Sequence, residues 1–160
     1  MIRFIAAIDS KHGLANDHGI PWQGKVPSDA KYFRKQTLHQ TVLMGAVTYQ
    51  EFDQPLPDRK NLVLTREPGP LRPGFEKVTD LETTLAKERD LWIIGGAGVF
   101  AQTIDFADEL YLTRLNKDFH CTKFFPDFED TFELAETFPP ITENGTTFHY
   151  ETWKRKQPLN

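Results

Sequence analysis

Apolar residues in this chain gather in short, nearly unbroken runs, with amphipathic segments and turn residues between them. Residues 2–8 (IRFIAAI), 41–44 (TVLM), 61–65 (NLVLT) and 92–94 (WII) are runs of this kind, the pattern of strands covered on both faces. Residues 109–115 (ELYLTRL) and 75–78 (FEKV) read as further strands. Between them lie helical segments: 27–37, with Pro27 near its first position, where a missing N–H costs nothing; 46–52; one ending near Lys87 that opens on a Thr79/Glu82 capping box; and 99–104. The long stretch 9–26 reads as a loop, and loops of that length in compact domains are commonly functional. Segments 131–137 and 146–153, separated by Pro139, Pro140 and a Gly145 turn, read as an antiparallel pair at one side of the sheet. Strands alternating with helices predict a mostly parallel sheet with helices on both faces and ligands beyond the carboxyl ends of its strands. No boundary or repeat divides the pattern, so residues 1–160 are expected to form one domain.

Composition narrows the function classes. A formal charge of −4 and a pI near 5.7 leave no basic footprint, which argues against nucleic acid or an anionic membrane surface as a general partner. A single cysteine, Cys121, cannot form an internal disulfide and fits a reducing compartment. The apolar run at the N-terminus is too short for a signal-peptide core or a bilayer span. A cytoplasmic protein is the expectation. The five histidines show no i, i+4 pair and no partner cysteines, so no metal is expected.

Two stretches carry candidate chemistry. In 20–33 (IPWQGKVPSDAKYF) a Pro-Trp pair and a Gly-containing loop lead into a helix whose first turn holds Asp29, with Tyr32 and Phe33 about one turn later. The helix dipole favours a first-turn carboxylate by about 0.3–1 kcal/mol, which by itself describes a solvated helix-start acid. Trp22 in the preceding loop adds a large apolar surface able to close over a ligand, so the stretch offers an acceptor for N–H groups beside a flat wall. The second stretch, Gly95-Gly96-Ala97-Gly98, joins a strand to a helix. Glycines there let backbone N–H groups approach a phosphate, although the run departs from the G-x-G-x-x-G fingerprint and, taken alone, such a run is more often an architectural tight turn than a ligand site.

Read together and in order, Asp29, the IPW loop, MGAVTY, PLPDRKNLVLTR, IIGGAGVF and LYLT resemble the dihydrofolate reductase family, from the first strand to the FFPDF segment. The resemblance implies a single α/β domain with an eight-stranded, mainly parallel sheet, an antiparallel C-terminal strand and four flanking helices. The implied activity is NADPH-dependent reduction of dihydrofolate to tetrahydrofolate, by hydride transfer to C6 and protonation of N5, in a monomer. By the same resemblance Asp29 is the acid that binds the pterin 2-amino and N3 groups, Thr113 hydrogen-bonds it, and Trp22 completes the catalytic set. Ile5, Ala6, Ala7, Phe33 and Ile94 line the pterin pocket, Phe52 and Leu56 contact the benzoyl part, and Arg59 pairs with the glutamate α-carboxylate, a task suited to a guanidinium. For the cofactor, Ala7, Ala15 and Ile20 lie against nicotinamide. Gly45, Thr48, Thr65 and Arg66 fall on the adenosine side, and Gly95, Gly96, Ala97, Gly98, Val99 and Phe100 form the pyrophosphate turn and the helix behind it.

Two departures from the family pattern stand out. Many members carry an arginine after the MG pair to hold the cofactor's 2′-phosphate, where this chain has Ala46; Arg66 is the natural substitute. Gln23, Gly24 and Lys25 also lengthen the connection from Trp22 to Asp29. Two rival readings remain at this stage: a reductase of the same fold acting on a ribosylated pyrimidine, and a nucleotide-binding module without chemistry.

Overall fold

A computed structural model describes residues 1–157. Its elements, in order, are β1 (Ile2–Ile8), β2 (Gly13–Ala15), α1 (Pro27–Thr37), β3 (Thr41–Gly45), α2 (Ala46–Glu51), β4 (Lys60–Leu64), β5 (Phe75–Val78), α3 (Leu81–Lys87), β6 (Leu91–Gly95), α4 (Ala97–Thr103), a 3-10 turn (Ile104–Phe106), β7 (Glu109–Leu115), β8 (Lys123–Phe124), β9 (Phe132–Thr137), β10 (Ile141–Glu143) and β11 (Thr146–Arg155). The main sheet runs β10-β11-β7-β1-β6-β3-β4-β5, with β9 also paired to β11. From β7 to β5 all neighbours are parallel, and the pairings made by β11 are antiparallel.

The unbroken apolar runs follow from this architecture. Successive side chains of a strand point to opposite faces, and here each face has its own core. Ile2, Phe4, Ala6 and Ile8 of β1, Leu43 of β3, Leu62 of β4 and Ile93 of β6 join one cluster, where α3 and α4 contribute Leu81, Leu85, Val99 and Phe100. Ile5, Val42, Met44, Val63 and Trp92 fill the opposite cluster, against Tyr32 and Phe33 of α1 and Tyr49 of α2. Polar residues in these strands are tied down: buried Asn61 of β4 exchanges hydrogen bonds with the Leu56 backbone and donates to Arg59 O.

Four expectations need correction. The sheet has nine strands rather than eight, because the Pro139–Gly145 stretch contains the short strand β10, which pairs Glu143 with Thr146 and Ile141 with Phe148. Asn144 and Gly145 between them have φ of +49° and +78°, the backbone of a two-residue hairpin turn. The cap of α3 is Asp80, not a Thr79/Glu82 box: its carboxylate accepts from Thr83 N at 3.4 Å and from Thr83 Oγ at 2.5 Å. Helix α4 begins at Ala97, two residues before Val99, so Gly98 lies inside it. The stretch 9–26 is not all loop either, since β2 pairs antiparallel with β8.

The base of that stretch is fixed by a buried acid. Asp9 Oδ1 accepts backbone N–H bonds from Lys11 at 2.9 Å and Gly13 at 2.7 Å, while Oδ2 accepts from Phe119 N at 2.9 Å. Burial works to raise the Asp9 pKa, but these bonds outweigh it and hold the carboxyl below its usual range. Gly13 is required by close approach, because a Cβ there would lie 2.5 Å from Cys121 Cβ and 2.9 Å from Asp9 Oδ1.

Candidate active site

Asp29 and Thr113 are 84 residues apart in the sequence and meet where the first turn of α1 lies over the carboxyl end of β7. Thr113 is paired across to Ala7 of β1 on one side and Tyr150 of β11 on the other, which leaves its buried side chain under the first turn of α1. Its hydroxyl donates to Asp29 Oδ1 at 2.6 Å. Burial raises the Asp29 pKa; the Thr113 bond pulls it down and the nearby Glu143 charge pushes it up, leaving a net rise. Beside it, Tyr32 stacks on Tyr150 with ring centroids 3.9 Å apart. Burial raises the Tyr150 hydroxyl to about 12, helped by the charges of Asp29 and Glu143, so this side chain stays neutral near pH 7.

The glycine turn lies across the cleft, at the end of β6. Gly95 has φ +124°, a region that favours glycine, and Gly96 caps α4 without a side-chain hydrogen bond. Gly45 is needed where β3 passes α4, since a Cβ there would come within 2.7 Å of Val99 Cγ2. Thr48 of α2 faces the turn, its Oγ1 lying 3.5 Å from where a Gly96 Cβ would stand. Gly45, Thr48, Gly95, Gly96 and Val99 thus form one wall, in which the start of α4 has no side-chain cap over its first main-chain N–H groups.

Between Asp29 and this wall lies a cleft of about 1840 Å³, beyond the size typical of a pocket for one small molecule. It has room for two extended ligands. Ile5, Ala6, Ala7, Ala15, Ile20, Trp22, Phe33, Phe52, Leu56, Ile94, Thr65, Arg66, Ala97, Gly98 and Phe100 line it together with the residues just described. Trp22 enters the cleft from an anchored position: it is 3% exposed and meets Phe119 edge-on at 5.1 Å. Ile20, two residues earlier, is exposed.

Arg59 is the one expected site residue that does not line the cleft. Its guanidinium is turned to the protein, donating to Thr37 Oγ1 at 3.0 Å, Pro57 O at 3.1 Å and Arg34 O at 3.4 Å. Arg66 is exposed and makes no ion pair among the described residues, and the rim around it also carries Glu67, Asp80 and Glu82. The sequence reading missed Glu51, Gln102, Phe106 and Lys123 as lining residues. Helical spacing was a usable signal for Glu51, three residues after Thr48, and for Gln102, four after Gly98. Lys123 arrives through the β2–β8 pairing opposite Ala15, which no local pattern announces.

Comparisons with known proteins agree with this geometry. Residues 1–155 match the family model described as dihydrofolate reductase. The chain is 33% identical to dihydrofolate reductase of Bacillus subtilis (strain 168) over 155 residues, covering 94% of this chain and 91% of the relative. It is 34% identical to dihydrofolate reductase type 3 of Salmonella typhimurium over 131 residues, covering 80% of each. A solved structure of dihydrofolate reductase from Enterococcus faecalis, complexed with NADP(H) and RAB-propyl, superposes with a TM-score of 0.88 at 30% identity, covering 98% of this chain and 97% of that one. The pairing of an acid with a threonine below a cleft, the glycine wall opposite and a family match over nearly the whole length together place this chain in the dihydrofolate reductase family.

Proposed function

We propose that the protein reduces 7,8-dihydrofolate to 5,6,7,8-tetrahydrofolate with NADPH as reductant. The observation that carries the reading is the Thr113–Asp29 pair, 2.6 Å apart, set in the cleft of a chain that belongs to the dihydrofolate reductase family. A neutral hydroxyl donates to one carboxylate oxygen, which leaves the other free to accept from the pterin 2-amino and N3 groups. Asp29 thereby fixes the orientation of the ring and stabilises charge that develops on it. The N5 proton arrives from water. Ile5, Ala6 and Ala7 floor the pterin pocket, Phe33 packs on the ring, and Phe52 and Leu56 hold the benzoyl part. Trp22 and Ile20 close the nicotinamide end and exclude bulk water.

The residues present fit NADPH. The glycine wall offers uncapped main-chain donors and no side chain in the way, and Arg66 supplies a free cation after Thr65. When bound, NADPH supplies the hydride that adds to C6. Gly95 to Val99 hold the pyrophosphate, Thr48 the adenosine side, and Arg66 grips the 2′-phosphate in place of the arginine that Ala46 lacks. Arg59 reaches the glutamate α-carboxylate by exchanging one of its carbonyl partners.

We further infer a monomeric, single-domain, cytoplasmic enzyme. A lone cysteine fits a reducing compartment, and no helix among the described residues is long and apolar enough to cross a membrane. The test is loss of nicotinamide absorbance with dihydrofolate, run with NADPH and NADH in parallel. Rapid oxidation with NADPH is expected. No oxidation with dihydrofolate, but oxidation with a ribosylated pyrimidine, overturns the assignment.

A further inference from the structure

The hairpin of β10 and β11 has no task in the reduction as just described, yet it grips the entry to α1 at three points. Val26, at the N-cap of α1, provides no side-chain cap, and the vacancy is filled from a residue 115 positions away. Glu143 accepts the Ser28 backbone N–H on Oε1 at 2.9 Å and the Ser28 hydroxyl on Oε2 at 2.5 Å. Asn144 Nδ2 donates to Lys25 O at 2.8 Å, and the Tyr150 hydroxyl donates to Ser28 O at 3.2 Å. A carboxylate at a helix start satisfies unpaired donors and complements the dipole. Here the helix it secures carries Asp29, the next residue after Ser28.

We propose that Glu143 is a positioning residue for the reduction, clamping the first turn of α1 so that the Asp29 carboxylate stays where the pterin ring must meet it. The proposal rests on the reductase reading. Thr113 ties down one Asp29 oxygen only, so the direction of the other depends on the backbone that Glu143 holds. A shift of about 1 Å in a group that orients substrate is costly, up to 100-fold in rate. Glu143 also faces Asp29 as a like charge and adds to the rise in its pKa. The other titratable groups facing Asp29 are Tyr32 on its own helix and Tyr150 on β11, both with raised pKa values and therefore uncharged. Thr113 on β7 contributes a neutral hydroxyl. Glu143 is thus the neighbour whose loss changes both the placement and the field of Asp29.

The test compares the full-length wild type with Glu143→Ala and Glu143→Gln in steady-state kinetics across pH, alongside thermal melting. Glu143→Ala is expected to raise KM for dihydrofolate by about tenfold while leaving KM for NADPH unchanged. Glu143→Gln, which still accepts from Ser28 N, is expected to keep KM for dihydrofolate within about twofold while the inflection that reports Asp29 moves to lower pH. A merely structural role lowers the active fraction and moves neither quantity. The proposal is overturned if Glu143→Ala has a wild-type KM for dihydrofolate, if both Michaelis constants rise together, or if Glu143→Gln leaves the inflection in place. Should the alanine variant melt below the assay temperature, Ser28→Ala, which removes the hydroxyl bond to Glu143 Oε2, decides by the same split between the two Michaelis constants. An inactive wild type overturns the reductase reading itself, whereas an active wild type with unaffected variants overturns only the role of Glu143.

Discussion

Replacing Thr113 with valine is the sharpest probe of the acid. The side chain keeps its shape, and a methyl group takes the place of the hydroxyl that donates to Asp29 Oδ1 at 2.6 Å. With Thr113 only 2% exposed, bulk water has no route to restore the lost bond. A hydrogen bond to a charged group contributes about 1.5–3 kcal/mol, so kcat/KM for dihydrofolate should fall roughly 10- to 150-fold. The pH dependence has a definite sign. Thr113 lowers the Asp29 pKa against burial and the Glu143 charge, so its removal moves the Asp29 inflection to higher pH, opposite to the shift expected of Glu143→Gln. Stopped-flow hydride transfer across pH, with protein folding checked by melting temperature, reads both quantities. Activity within twofold of wild type and an unmoved inflection refute the claim that this bond sets the state of the acid.

Asp29→Asn should abolish most turnover at neutral pH while NADPH binding persists, measured by cofactor fluorescence titration; near-normal rates contradict the assigned role. The same variant should be more stable than wild type at neutral pH. A carboxyl whose folded pKa is raised is a burden on the native state at neutral pH that sets in as pH climbs past the unfolded pKa and is complete above the folded one, so the stability gain should vanish in acid, and a gain independent of pH refutes the linkage. Arg66→Ala should raise KM for NADPH far more than KM for NADH, because only the former carries a 2′-phosphate; equal effects remove Arg66 from that site. Gly13→Ala should destabilise the fold by about 1–3 kcal/mol in chemical denaturation through overpacking, with partial rescue by Cys121→Gly, since the added Cβ meets Cys121 Cβ at 2.5 Å. Failure of the second substitution to rescue contradicts the contact.

The strands and helices that build the site were legible in the sequence because each apolar run had to serve two cores, which leaves an unmistakable pattern over Ile2–Ile8 and Leu91–Gly95. Asp29, Trp22 and the glycine turn were recognisable from their company: an acid, a loop and a phosphate-binding turn in fixed order. What escaped was made by tertiary pairing. β10 exists only through β11, Lys123 reaches the cleft only through β2, and the guanidinium of Arg59 faces the Thr37 hydroxyl and the carbonyls of Pro57 and Arg34. Asp80 capped α3 in preference to Thr79 because a carboxylate at that position reaches both donors of Thr83, a choice that spacing alone leaves open.

The division of the interior into two cores bears on how the two ligands find each other. Helix α1, which presents the acid, rests on Val42, Met44 and Val63, whereas α4, which presents the glycine wall, rests on Phe4, Leu43 and Ile93. The two layers touch different side chains of the same strands and share only the peptide frame between them. Repacking beneath one helix therefore leaves the seat of the other unaltered so long as that hydrogen-bonded frame holds its twist. Donor and acceptor are registered to each other by a backbone lattice, and the side chains on either face remain free to diverge.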